Sequence, residues 1–197
     1  MNPVAKAFVR SAVGITSGVA GAAWLLRSGT NVPLGRMVRA RRGDIEVHRV
    51  IDVAAPVEYV FERLAAFANF PAFMRSARSV RLLDAGTAHW SMIGPDGAAH
   101  EWLSQTTLNR PREVLAWRTT GTSAIEHAGI VRFAPLGNDR TRLDVLLTYS
   151  ASGKTRGDVL QELLGADPSA EVEADLARMK TFLEAGEGHV HTRQSAA

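Results

Sequence analysis

The chain of 197 residues contains no cysteine. Disulfide scaffolds, zinc–thiolate sites and cysteine nucleophiles are therefore excluded. Short catalytic and cofactor motifs are missing as well: the sequence has no Gly-x-Ser-x-Gly elbow, no His-Glu-x-x-His pair and no glycine-rich dinucleotide turn. We therefore expect neither a metal nor a cofactor.

Acidic residues are missing from positions 1–43, which hold seven of the 23 lysines and arginines. Positions 44–197 hold the other 16 basic residues and all 20 acidic ones, which gives a net charge of −4. A nucleic-acid-binding domain is expected to carry a basic face. Because the body of this chain is mildly acidic, we expect no nucleic-acid partner.

A long hydrophobic run is also lacking in the basic leader, residues 1–43. Its uncharged stretch, 11–26, would span about 24 Å as a helix, which is short of the ~30 Å hydrocarbon core of a bilayer. Four interpretations stay open: an anchor at the membrane surface, a flexible tail or helix packed on its own domain, a cleaved secretory signal, and an organelle transit peptide. We favour a cytoplasmic protein, which the first interpretation would associate with the inner face of the membrane.

The body of the chain opens with a strand pattern that changes into a helix pattern. Apolar residues alternate with polar ones over 45–53, the period of a half-buried strand. Pro56 suits a first helical turn, and the apolar residues of 57–64 then recur on one helical face. The aromatic segment 67–74 predicts a second short helix.

Six further strands are predicted, separated by turn residues, at 78–84, 87–93, 99–109, 113–120, 125–135 and 140–150. Their short connections imply antiparallel neighbours. A long helix follows, begun by Asp167 and Pro168 and ended by Gly186. Its predicted apolar face consists of Val172, Leu176, Met179 and Leu183. Asp175 is predicted to lie off that face, and residues 188–197 are predicted to form a disordered tail.

A long amphipathic helix after an antiparallel sheet should lie across the apolar face of that sheet. A curved sheet cannot close tightly along the whole helix, so we expect an apolar cavity between the two. Concave apolar cavities of this kind are where small ligands bind.

The order and spacing of these elements resemble a known family. The segments that carry the resemblance are 53–57 leading into Phe61, 67–74, His89-Trp90, Glu101-Trp102, 116–118, 129–133 and 180–184. Together they resemble the helix-grip fold of the START-like superfamily, also called SRPBCC, over residues 44–187. The nearest branch is that of polyketide cyclases/dehydrases and coenzyme Q-binding proteins. The resemblance implies an α+β fold in which a curved sheet of about seven antiparallel strands wraps a long C-terminal helix.

Members of this superfamily bind lipids, sterols, quinones or polyketides, and some are enzymes, so the fold alone does not define the function. The candidate ligand-binding residues are Phe70, Phe73, Met74, Trp90, Met92, Trp102, Trp117, Phe133, Tyr149 and Met179. Tryptophans in a cavity wall would offer a flat ligand a large contact area and an N–H donor. The alternative for each of them is that it only fills the core.

Catalysis of polyketide cyclisation or dehydration would need a general base and a donor for the enolate oxygen. The candidates for these two roles on the predicted strands are His89, His100, Glu101, Arg118, Glu126, His127 and Arg132. His127 shares its facing with Val131 and Phe133, which predicts an inward side chain, whereas the facing of Glu101 is ambiguous. His127 and Glu101 are therefore the candidate catalytic residues.

Three functions are consistent with these patterns. We favour a non-catalytic binder of a hydrophobic small molecule, which the resemblance implies to be an isoprenoid quinone, a lipid or an aromatic polyketide. The second is an aromatase/cyclase-like enzyme that uses His127 together with Glu101 or an arginine. The third is an interaction or stress-related module with a vestigial cavity, and the volume of the cavity would distinguish it from the other two.

Overall fold

A computed structural model describes residues 44–151 and 156–194. The helices are α1 (Val57–Ala65), a 3-10 helix (Phe67–Ala72), α2 (Arg156–Leu164) and α3 (Pro168–Gln194). The strands are β1 (Ile45–Val53), β2 (Ala77–Leu82), β3 (Thr87–Ile93), β4 (Ala99–Arg110), β5 (Val114–Thr120), β6 (Ile125–Pro135) and β7 (Thr141–Ala151). Every predicted strand is present, with its ends within two residues of the prediction. The predictions for the leader, residues 1–43, lie outside the described residues.

The strands form one seven-stranded sheet in the order β1-β7-β6-β5-β4-β3-β2, and every neighbouring pair is antiparallel. The meander from β2 to β7 is explained by the short turns between its strands. β1 then pairs with β7 along its whole length, from Ile45 opposite Tyr149 to Val53 opposite Thr141. The predicted α+β helix-grip fold is confirmed.

The core lies between one face of the sheet and the helices. The apolar face of α3 consists of buried residues, as predicted: Val172, Leu176, Met179 and Leu183. At the start of this helix, the Asp167 carboxylate accepts a hydrogen bond from the backbone N–H of Ala170 at 3.0 Å. None of the described helices is long and apolar enough to cross a membrane.

The end of α3 differs from the prediction. We expected Gly186 to terminate the helix, but α3 continues to Gln194, into the segment predicted as a disordered tail. A Cβ at position 186 would overlap the hydroxyl of Tyr59 from α1. Glycine at this position is therefore explained by the close approach of two helices, and a glycine inside a helix costs only about 1 kcal/mol relative to alanine.

Candidate functional site

A small internal cavity lies between the sheet, the 3-10 helix and α3, and its volume is about 20 Å³. This is room for about one water molecule. The wall residues are Leu64, Phe70, Phe73, Met74, Trp117, His127, Val131, Val145, Leu147, Tyr149, Val172, Asp175, Leu176 and Met179. Side chains from the sheet, the 3-10 helix and the long helix therefore meet around this cavity.

His127 lies at the centre of a group of aromatic rings that we call the His127 cage. Its imidazole stacks on the ring of Tyr149, with centroids 4.5 Å apart and an interplanar angle of 13°. The two residues are direct partners in the register of β6 and β7. Trp90, Trp102 and Trp117 surround the imidazole with centroid distances of 5.3, 5.9 and 6.0 Å. The side chain of His127 is only 1% exposed.

Several polar atoms of the cage have no hydrogen-bond partner among the described residues. These atoms are Nδ1 and Nε2 of His127, Oη of Tyr149, Nε1 of Trp102 and Nε1 of Trp117. Trp90 differs from them, because its Nε1 donates to Ser104 Oγ at 2.8 Å. A buried polar atom without a partner typically costs about 1–3 kcal/mol. Such a concentration of these atoms at one site is uncommon in a native core, where most buried polar atoms have a hydrogen-bond partner.

Burial controls the protonation of the cage. It lowers the pKa of His127 to about 3, so that the imidazole is neutral at physiological pH. Burial also raises the pKa of the Tyr149 hydroxyl, and the nearby charge of Asp175 raises it further. The cage is therefore uncharged, with indole N–H groups and a phenol as donors and one imidazole nitrogen as an acceptor.

Trp117 reaches the cavity because the strand beside it carries a glycine. Trp117 on β5 lies directly opposite Gly129 on β6. A Cβ built at position 129 would collide with the indole, lying 2.6 Å from Cε2 and nearer still to two other ring atoms. Gly129 therefore provides the space in which the Trp117 ring lies flat against the strand.

Two charged residues of α3 fasten the end of the 3-10 helix. The Asp175 carboxylate accepts the backbone N–H of Arg75 at 2.9 Å and forms an ion pair with Arg178. The guanidinium of Arg178 donates through Nε to the carbonyl oxygen of Phe73 at 3.0 Å. We call this arrangement the α3 clamp. It holds Phe73 and Met74, two residues of the cavity wall, against the long helix.

Residues of the clamp line both the cavity and a second pocket, which is open to the surface. This surface groove has a volume of about 550 Å³ and is lined in part by Arg75, Ser76 and Glu171. The residues next to these in sequence, Met74 and Val172, line the cavity. The groove and the cavity are therefore divided by the backbone around residue 74 and the first turns of α3.

A family model for polyketide cyclase/dehydrase and lipid transport proteins matches residues 44–184. The chain belongs to this family. The match covers β1 through most of α3, and it confirms the START-like membership that the sequence motifs predicted.

Several solved structures are similar to this chain in fold. A Deinococcus radiodurans protein is 28% identical over 72% of this chain and 99% of its own, with a TM-score of 0.55. The ZhuI aromatase/cyclase of Streptomyces sp. R1128 is 23% identical over 72% and 94%, with a TM-score of 0.58. A START superfamily protein of Mycobacterium smegmatis is 14% identical over 74% and 98%, with a TM-score of 0.56. No curated protein sequence gives a significant match.

Six of the ten predicted ligand-binding residues line the cavity of this family member: Phe70, Phe73, Met74, Trp117, Tyr149 and Met179. The other four are buried behind or beside the wall. Trp90 and Met92 are fully buried, and the Trp102 ring stacks on Trp90 with a centroid distance of 6.1 Å. Phe133 packs edge-on against Phe61 at 5.2 Å. These four residues contribute to the core that supports the cavity.

The two candidate catalytic residues are not brought together. Glu101 is exposed on β4 and lies 3.5 Å from the imidazole of His89 on β3. The next residue, Trp102, points to the opposite face and packs against His127. Glu101 therefore lies on the outer face of the sheet, where it is out of reach of a group bound in the cavity.

Asp175 is the site residue that the sequence pattern missed. We predicted that it lies off the apolar face of α3, but it is only 4% exposed and lines the cavity. The spacing of Asp175 in the sequence could have predicted this position, because Asp175 follows Val172 by three residues and precedes Met179 by four. These are the spacings of one helical face, so an acidic residue within the apolar stripe was visible in the sequence.

Proposed function

We propose that this protein binds a hydrophobic small molecule with an oxygenated ring, whose oxygen is received by the His127 cage. The observation that carries the proposal is the set of five buried polar atoms of the cage without a hydrogen-bond partner among the described residues. A carbonyl or hydroxyl oxygen in the cavity would accept from the indole N–H of Trp117 and the hydroxyl of Tyr149, both of which belong to wall residues, and would relieve their desolvation cost.

The shape of the cage favours flat ligands. The rings of Tyr149 and the three tryptophans lie with their centroids within 6.0 Å of the His127 imidazole, and they present both faces and edges to it. Aromatic side chains gain about 0.5–1.5 kcal/mol from offset-stacked or edge-to-face contacts with another ring. Among the ligand classes implied by the family, a quinone head group or an aromatic polyketide therefore fits this cage better than a saturated lipid chain.

The volume of the cavity has a direct consequence for binding. Ligand sites typically occupy about 300–1,000 Å³, whereas this cavity measures about 20 Å³, which is also the small volume expected of a module with a vestigial cavity. Part of the wall must therefore move before a ring can enter. We propose that the 3-10 helix moves together with the residues that follow it, because Phe70, Phe73 and Met74 fill the cavity from this segment. The α3 clamp attaches the segment to the long helix. Displacement of the segment would join the cavity to the surface groove.

Binding should depend on the ligand oxygen. We expect 2-methyl-1,4-naphthoquinone to bind saturably, about tenfold or more tightly than naphthalene, because each hydrogen bond to a carbonyl contributes about 1 kcal/mol. Quenching of tryptophan emission and titration calorimetry on the full chain would measure both affinities.

Tyr149→Phe is the matched control variant for this experiment, since it removes the hydroxyl and keeps the stacked ring. It should weaken quinone binding several-fold and leave naphthalene binding unchanged. Equal affinities of the wild-type protein for the two compounds would contradict the role of the cage. Failure to bind any quinone, lipid or aromatic polyketide of a broad panel would contradict the proposed function.

A cyclase-like activity is the second candidate, favoured by the neutral imidazole of His127 beside a phenol in the cavity wall. Proton abstraction is most effective when the pKa of the base is near the working pH. With a pKa of about 3, His127 is a weak base in this closed arrangement. We therefore place ligand binding first. Turnover of a poly-β-ketone that is lost in His127→Ala, with the fold intact, would reverse this order.

A further inference from the structure

Asp175 is a charged residue in an otherwise uncharged wall. Among the described residues that line the cavity, all others are apolar except Tyr149, Trp117 and His127, and the imidazole of His127 is neutral. The carboxylate is only 4% exposed. Burial raises the pKa of the Asp175 carboxyl, and its two hydrogen-bond donors, the Arg75 backbone N–H and the Arg178 guanidinium with which it forms an ion pair, oppose that shift and favour the ionised form.

The positive charge beside Asp175 does not neutralise this corner of the cavity. Arg178 is shared between Asp175 and Glu171, whose carboxylate accepts from the same guanidinium nitrogen at 2.7 Å. One cation is therefore balanced against two carboxylates, and the group carries a net charge of −1. The charge of Asp175 also acts on the hydroxyl of Tyr149, where it opposes the formation of a second negative charge.

We propose that Asp175 makes the cavity selective against anionic ligands, so that carboxylates such as free fatty acids are excluded and uncharged ring compounds are accepted. This inference rests on the proposed function, because it concerns the ligand that the cage receives. A carboxylate near Tyr149 would meet the charge of Asp175 at a distance of a few ångströms, away from bulk water. Like charges at such a distance in a protein interior reduce affinity by tenfold or more.

The experiment compares two ligands with the same bicyclic ring and different charge. At pH 7.5, 2-naphthol is neutral and 2-naphthoate is an anion. We expect the full-length wild-type protein to bind 2-naphthol at least tenfold more tightly than 2-naphthoate. Asp175→Asn keeps the size of the side chain and removes its charge, and it should reduce this ratio of dissociation constants by about tenfold.

Glu173→Gln is the matched control variant. It makes the same charge change two residues away on α3, but Glu173 is half-exposed, pairs with Arg49 and does not line the cavity. The ratio of the dissociation constants for 2-naphthoate and 2-naphthol should be the same in Glu173→Gln as in the wild type. Asp175→Asn also alters the α3 clamp, so the affinity for one ligand alone would combine the effect of the charge with a changed free-energy cost of opening the cavity. The ratio of the two dissociation constants removes that cost, because both ligands need the same opening.

The outcomes separate this inference from the proposed function. A wild-type protein that binds both ligands equally, or an Asp175→Asn ratio equal to that of the wild type, would overturn the role of Asp175 and leave the proposed function standing. Binding of neither ligand would overturn both. If Asp175→Asn does not fold, the wild-type protein provides the test with two ligands of opposite charge. We then expect the cation 2-naphthylmethylammonium to bind more tightly than 2-naphthoate. The opposite order of affinities would overturn the inference.

Discussion

Gly129→Ala is expected to destabilise the protein by about 3 kcal/mol, because the packed core has no space for the new methyl group. The added Cβ would collide with the indole of Trp117. That ring is only 1% exposed and is surrounded by Phe67, Phe70 and His127 at centroid distances of 5.4, 5.6 and 6.0 Å. A rotation of Trp117 would therefore disturb the cage, and a shift of β6 would disturb its pairing with both neighbouring strands.

Urea denaturation followed by circular dichroism would measure the loss of stability. Gly86→Ala is the matched control, because a Cβ at that half-buried turn position would meet only side-chain ends, Gln105 Nε2 at 3.2 Å and Asp84 Oδ1 at 4.0 Å. Its free energy of unfolding should stay within about 0.5 kcal/mol of the wild type. A Gly129→Ala protein as stable as this control would contradict the assigned role of Gly129.

A second substitution tests the specific pair. Trp117→Phe removes the part of the ring that the new methyl group would strike, so the double variant Gly129→Ala/Trp117→Phe should lose less stability than the two single variants together. Residues in contact typically show such coupling free energies of about 0.5–3 kcal/mol. Strict additivity would show that the damage from Gly129→Ala does not pass through Trp117.

The sequence patterns predicted the topology because each strand, turn and amphipathic face depends on residues that are close together in the sequence. The seven strands and the buried face of α3 depend on alternation, turn residues and helical spacing, each of which is legible within a few positions. The inward facing of His127 follows from the same alternation. By contrast, the predicted end of α3 was wrong, because we interpreted Gly186 as a helix terminator. Its actual role is to make room for Tyr59, which lies 127 positions away in the sequence.

The chemistry of the site was less predictable for a related reason. The cavity volume of about 20 Å³ depends on how fourteen side chains from distant segments interlock, and no local pattern encodes that. Asp175 was assigned to the polar side of its helix because charged residues are rarely buried without partners. Its partners, the backbone N–H of Arg75 and the guanidinium of Arg178, become visible only when the 3-10 helix is placed against α3.

His127→Phe is expected to make the protein more stable and less sensitive to acid, and to impair its binding site. At neutral pH the substitution removes two buried nitrogens without hydrogen-bond partners among the described residues, and it keeps a flat ring against Tyr149. We expect a gain of about 1–2 kcal/mol in the free energy of unfolding. The cavity of about 20 Å³ beside the ring accommodates part of the larger phenyl group.

The acid response follows from the pKa of His127, which is about 3 in the folded protein and 6.5 as the ordinary value. Above pH 6.5 both the folded and the unfolded chain carry a neutral imidazole, so His127 adds no pH dependence. As the pH falls below 6.5, the unfolded chain binds a proton that the folded chain does not. Stability is then lost at about 1.4 kcal/mol per pH unit, or about 2 kcal/mol by pH 5.

Urea denaturation of the wild type and His127→Phe at pH 7.5 and pH 5.0 would measure both effects. The advantage of the variant should grow by about 2 kcal/mol between the two pH values, since all other titrating groups are common to both proteins. Tyr149→Phe is the control, because it also removes a buried polar atom. The pKa of the Tyr149 hydroxyl is raised above its ordinary value, so this group does not titrate between pH 5.0 and pH 7.5. An advantage of His127→Phe that is the same at both pH values would contradict a buried, neutral His127.

The same variant connects stability to function. If the unpartnered nitrogens of His127 are retained because a ligand oxygen uses them, His127→Phe should lose much of the preference for 2-methyl-1,4-naphthoquinone over naphthalene while it gains stability. Natural proteins commonly keep such locally unfavourable groups where function requires them. A variant that is more stable and keeps the full preference would show that His127 is only a core residue, and would leave the indole N–H groups and Tyr149 as the receiving atoms.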